Sequence, residues 1–179
     1  MQIKRLEHAF FERDALEVAP ELVGKLLCVR TDGRTEKVRI AETEAYRGEE
    51  DTACHAHKGR TPRTEVMYGT GGTMYIYMCY GIHWLMNIVT GGIGDPQCVL
   101  LRAGIAPWDG PAKLTKHMGI DKRYNGIGIY ECKDVWIEDD GRRYEISAGR
   151  RIGIGYADEA DQARLWRYGI QSGGEENAL

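Results

Sequence analysis

Three tight-turn signals, Asp32-Gly33, Tyr80-Gly81 and Asp140-Gly141, each lie between runs of strand-forming residues. Two-residue turns join antiparallel neighbours and need a positive backbone dihedral, which glycine adopts at little cost. They predict three hairpins: Leu26 to Arg30 with Glu36 to Tyr46, Thr73 to Cys79 with Ile82 to Thr90, and Val135 to Glu138 with Tyr144 to Ala148. Gln97 to Ala103 reads as a further strand. Helices are predicted over Phe10 to Val18 and over Gly110 to Met118, with Gly119 as the stop. Pro20 is expected as the first residue of another helix running towards Gly24 to Leu27. Arg47 to Gly72 is long, polar and rich in His, Arg, Gly and Pro, and a connection of that length in a compact domain tends to carry function. With 179 residues and 42% hydrophobic content, the chain is expected to form one domain over 1–179 and to fray over 170–179.

Chemistry concentrates between Val38 and Asn87. As a strand, the segment 38–46 sends Val38, Ile40, Glu42, Glu44 and Tyr46 to one face, so an apolar row turns acidic at its end. An unpartnered buried carboxylate is costly, and a glutamate placed there is expected to hold a proton, a water or a cation. On pattern alone a salt-bridged structural acid is an equal reading, and Glu42 shares the predicted face. Tyr75 and Tyr77 are by default ordinary strand residues, and a lone His55 is by default a structural imidazole. Tyr80, at a protruding turn, is harder to explain by packing. Cys98, Leu100 and Arg102 share a face, so a guanidinium ends another apolar row. A metal site built from Glu44, Asp51, His55 and His57 is an alternative, although their spacing fits no established ligand motif.

A net charge of −3 excludes a globally basic protein, so contact with a polyanion must come from local clusters. Three exist: Lys58, Arg60 and Arg63; Lys113, Lys116, Lys122 and Arg123; and Arg142, Arg143, Arg150 and Arg151. The five cysteines are scattered and odd in number, which argues against a disulfide framework and for a reducing, cytoplasmic setting. No stretch reads as a signal peptide or membrane span.

The series Glu42-Thr-Glu-Ala-Tyr46, Thr61-Pro-Arg63, Met67, Tyr75-Ile-Tyr77, Tyr80-Gly81, Met86-Asn-Ile88, Val99-Leu-Leu-Arg-Ala103, Gly110-Pro-Ala-Lys-Leu114 and Arg151-Ile-Gly153 resembles the alkyladenine (3-methyladenine) DNA glycosylases. The likeness runs from about Arg5 to about Tyr156 in the same order, and many short motifs in series are far more specific than any one. It implies a mixed α/β (α+β) fold, a single domain around a curved, mainly antiparallel sheet with a protruding hairpin and flanking helices. It also implies a monomeric, monofunctional base-excision enzyme acting without metal or organic cofactor. Its partner would be double-stranded DNA containing damaged purines, in the cytoplasm of a prokaryote or a eukaryotic nucleus. Carried over, Glu44 looks like the base that activates water, with Arg102 and the backbone of Ile152 completing the water site. Tyr46, His55, Tyr77 and Asn87 look like the base pocket, Asn87 as a steric sensor of the guanine amino group, and Tyr80 looks like the intercalating wedge. Lys58, Arg60, Arg63 and Lys113 are expected on the DNA backbone. Two departures stand out: Leu165-Trp-Arg-Tyr-Gly-Ile170 only loosely echoes the family's carboxy-terminal aromatic segment, and the extended basic amino-terminal region of some relatives is missing.

Overall fold

The computed structural model describes residues 3–171. The first half of the chain supplies β1 (Lys4–Arg5), α1 (His8–Phe11), α2 (Ala15–Leu22), β2 (Leu26–Thr31), β3 (Arg34–Arg47), β4 (Met74–Cys79) and β5 (His83–Thr90). The second half supplies β6 (Gln97–Gly104), α3 (Pro111–His117), β7 (Val135–Asp139), β8 (Ile146–Gly149), α4 (Glu159–Ala163) and β9 (Arg167–Ile170). Among the described residues the nine strands form one sheet in the order β1-β7-β2-β3-β6-β5-β4, with β9 added to β3 and β8 to β9, all pairs antiparallel. The architecture is the expected α+β domain, and no described helix is long and apolar enough to cross a membrane.

One sheet face carries the main core. Helix α2 begins where the Asp14 side chain accepts from the Leu16 amide, and Ala15, Val18, Ala19 and Leu22 form its buried i, i+3, i+4, i+7 stripe. That stripe packs with Ile40, Ala45, Met74, Ile76, Met86, Ile88, Val99 and Leu101 from the strands and Leu114 from α3. Because strand side chains alternate, the intervening residues Glu44, Tyr46, Tyr75, Tyr77, Asn87 and Cys98 are left for the opposite face. There the connection from Gly48 onward folds back as short 3₁₀ turns at Gly48–Glu50, His55–Lys58 and Glu65–Tyr68, building a second cluster around Ala56, Met67, Tyr75 and Cys98.

Three expectations are corrected. Val38 and Ile40 do not share a face with Glu44. The β3–β6 register shifts between Ile40 and Glu42 and again between Glu42 and Thr43, and a one-residue slip exchanges the two faces of a strand. Val38 and Ile40 therefore enter the helix-side core with Ala45, while Glu42 and Glu44 turn the other way towards Arg102. Pro20 lies inside α2, whose start is set by Asp14 instead. In a helix this short, a proline near the carboxyl end removes a single intrahelical bond. The third expected hairpin does not form: β7 pairs with β2 and β1, and β8 pairs with β9. The expected frayed tail lies mostly outside the described residues, and Ile170 within it is still paired to Ile146.

Candidate active site

Strands β3 to β6 and the 48–72 connection enclose a cleft lined by Tyr46, His55, Tyr75, Tyr77, Asn87 and Tyr156, with Ala53, Met67 and Cys98 filling between them. The rings are locked against one another. His55 meets Tyr77 edge-on at 4.6 Å between centroids, Tyr75 and Tyr77 lie 5.5 Å apart, and His55 Nδ1 is 2.9 Å from the Tyr75 hydroxyl. Asn87 is buried and donates its amide N–H to the Tyr75 carbonyl at 3.2 Å. His55 keeps one edge open to solvent, yet crowding by its neighbours and then the charge of Arg63 pull its pKa down to about 4.

Glu44 is fully buried beside this cleft. Its Oε2 accepts from the Tyr46 hydroxyl at 2.7 Å and its Oε1 from the Ile152 amide at 3.0 Å. Arg102 Nε stands 3.3 Å from Oε1 of Glu44 and 3.3 Å from Oε2 of Glu42, but its N–H is aligned with neither. Burial raises the Glu44 pKa above the ordinary glutamate value, and the Tyr46, Ile152, Arg102 and Arg151 contacts oppose that rise. A carboxylate has about four lone-pair sites, so two remain for a further donor after Tyr46 and Ile152 are counted.

Behind Tyr46 lies a group the sequence placed wrongly. Arg151, read as one of a surface cluster, is completely buried and forms a two-pronged pair with Asp51 at 2.6 and 2.8 Å. Its guanidinium carbon sits 4.8 Å from the Tyr46 ring and 5.0 Å from that of Trp166. Asp51, held in this pair and accepting from the Arg47 and Ala53 amides, is not free for a metal. His57 Nδ1 lies 2.9 Å from the Glu49 carbonyl, away from His55's partners. Among the described residues no group of three or more His, Cys, Asp or Glu could hold a metal ion.

The structure thus gathers Glu44, Arg102, the Ile152 amide, Tyr46, His55, Tyr77 and Asn87 into one neighbourhood. Tyr80 stands apart at the tip of the β4–β5 hairpin, 91% exposed. The expected DNA-backbone residues scatter. Lys113 on α3 pairs with Asp109 just ahead of that helix, Arg60 pairs with Glu65 and covers the Tyr68 ring, and Lys58 ends the second 3₁₀ turn. Arg63 lies over the Tyr77 ring at 5.1 Å. Arg142 and Arg143, from the third cluster, neighbour Asp140 and Asp139. Tyr75, Tyr156 and Arg151 were missed as parts of the site. The period-two spacing of Tyr75 and Tyr77 could have flagged the first, the Arg151-Ile-Gly153 motif could have flagged Arg151, and no local signal marks Tyr156.

A buried carboxylate held by two donors beside an aromatic slot suits an enzyme that cuts a bond to an inserted planar group. Comparison with known proteins narrows the class: the sequence profile of the methylpurine-DNA glycosylase (MPG) family matches residues 9–109 and 106–173. A Myxococcus xanthus protein is 44% identical over 90% of this chain and 89% of its own length. One from Psychrobacter cryohalolentis is 42% identical over 86% of each, and one from Natranaerobius thermophilus 37% identical over 93% and 96%. All three carry the provisional name 3-methyladenine DNA glycosylase. The chain belongs to the methylpurine-DNA glycosylase family and is a DNA glycosylase.

Proposed function

We propose that the chain excises alkylated or deaminated purines, such as 3-methyladenine, hypoxanthine and ethenoadenine, from duplex DNA by flipping the nucleotide into the aromatic cleft and hydrolysing its N-glycosidic bond. The observation that carries the reading is the buried Glu44 carboxylate, donor-bonded by Tyr46 and Ile152 at the edge of a slot walled by tyrosines. A base inside a duplex is out of reach of any side chain, and extruding it costs a few kcal/mol, least for damaged bases that pair weakly. Stacking on an aromatic ring returns about 1–3 kcal/mol per contact, so Tyr46 and Tyr77 on the two faces of the base roughly offset the extrusion. Tyr80, exposed on its hairpin tip, fills the gap left in the stack.

Within the cleft, water attacks the anomeric carbon while the purine departs and the sugar becomes cationic. Glu44 takes the water's proton, a role typically worth about 10²–10⁴ in rate, and its charge stabilises the oxocarbenium ion. Ile152 and Arg102 keep the carboxylate oriented. Asn87, buried against the Tyr75 backbone, limits the space for a guanine amino group. The experiment that tests this reading incubates the protein with a duplex carrying one hypoxanthine and cleaves abasic sites with alkali. A strand break at the lesion is the expected result. Tight lesion binding with no break would make the protein a non-catalytic binding module and overturn the proposal.

A further inference from the structure

We propose that Arg63 is a specificity-determining residue that biases the cleft towards electrically neutral damaged purines over cationic ones. The inference rests on the excision reading above. Arg63 lies over the Tyr77 ring at 5.1 Å without itself lining the cleft, and among the described residues no carboxylate pairs with it. The opposite wall is also backed by a guanidinium, Arg151 at 4.8 Å from Tyr46, but Asp51 matches that charge at 2.6 Å. Arg63 is therefore the unmatched cation of the pair.

Two consequences follow from its chemistry. A ring attracts a cation through the negative potential of its face, and a guanidinium already held on Tyr77 weakens that attraction for a second cation arriving from the cleft. Stacking of a neutral base is left intact. The second consequence concerns proton positions. The positive charge of Arg63 near Tyr75 favours a hydroxyl that turns its oxygen towards the guanidinium and its O–H towards His55 Nδ1, 2.9 Å away. His55 then carries its proton on Nε2 and stays neutral, in keeping with its depressed pKa. The base end of the cleft thus holds two protonated phenols and a neutral imidazole, with an unmatched cation on the Tyr77 ring. The carboxylates of Glu44 and Glu42 sit beside Arg102, and Glu44 is present whether Arg63 is kept or removed, so a change in the substrate ratio on replacing Arg63 reports Arg63.

The test compares the wild-type protein with Arg63→Gln and Arg63→Lys. Single-turnover excision is measured on duplexes holding hypoxanthine, which is neutral, and 3-methyladenine, which is cationic as its nucleotide, and the His55 ring is titrated by NMR. Arg63→Gln is expected to raise the 3-methyladenine to hypoxanthine rate ratio by about threefold or more and to move the His55 titration up towards the ordinary histidine range. Arg63→Lys, which keeps the charge, is expected to hold the ratio near the wild-type value. Equal slowing of both substrates by Arg63→Gln would mark a plain phosphate contact, and an unchanged ratio with an unchanged His55 titration would mark an inert surface residue; either overturns the proposal. Failure of the wild-type protein to release either base would defeat the excision reading itself and is recognised from that sample alone.

Discussion

Glu44 meets two opposed demands: exclusion from water, and ionisation at working pH. Burial pushes its pKa up, so the protonated side chain favours the folded state. That contribution is fully present below the ordinary glutamate range and is lost as pH rises through the raised value, leaving the ionised carboxylate a strain on the fold at neutrality. Activity, which needs the ionised form, is expected to fall on acidification at a higher pH than an exposed glutamate would give. Tyr46→Phe removes the hydroxyl that donates to Oε2 while leaving the stacking ring. In a pH–rate profile of this variant the acid limb is expected at higher pH than in the wild type; an unmoved limb would mean that Tyr46 does not tune Glu44. Asp51 is a different case, because among the described residues it is the acid in direct contact with Arg151 and both side chains are fully buried. Asp51→Ala is expected to cost about 3–5 kcal/mol in denaturant unfolding, the usual result of stranding a buried charge. The Glu42-Glu44 segment was legible from sequence as acidic and buried, but not this pair, whose members stand a hundred positions apart.

The hairpin β4–β5 shows a device at the scale of an element. Both turn residues adopt positive φ, 52° at Tyr80 and 72° at Gly81. Glycine takes that conformation freely, whereas for a bulky side chain it is costly, so the tip holds an exposed tyrosine against the local backbone preference. Tyr80→Asn is expected to stabilise the fold by up to about 1 kcal/mol in thermal unfolding, since asparagine tolerates the left-handed region, while weakening retention of a lesion-bearing duplex. A variant that loses stability instead would remove the strain argument. The Asp32-Gly33 and Tyr80-Gly81 hairpins could be read in advance because their pairing is local. The Asp140-Gly141 hairpin could not, because β7 is claimed by β2, far upstream, and β8 by β9. Nor does any residue pattern announce the register shift at Ala41–Glu42 that sends Glu44 away from the helices. That shift is a property of the β3–β6 pairing, set by both strands together.

Across the whole molecule, the sheet divides labour between its faces. Helices α2 and α3 cover one with apolar side chains, and the other, roofed by the 48–72 connection, is given to tyrosines, Asn87 and Glu44. The family motifs in the sequence foretold most of this second face, because strand alternation turns spacing into a shared side. Charge clusters were poorer guides, since proximity in sequence says nothing about partners: Arg151 is buried and Lys113 is matched by Asp109. The central claim, that one buried carboxylate drives base excision, is tested most directly by Glu44→Gln. The amide can present its oxygen to the Ile152 N–H and its nitrogen to the Tyr46 oxygen, and it removes the burdened charge, so folding at neutral pH is expected to be as stable as wild type or more so. Single-turnover excision of hypoxanthine from duplex DNA is predicted to drop by about 10²–10⁴ while lesion binding is retained. A Glu44→Gln protein that cuts at the wild-type rate would contradict the account.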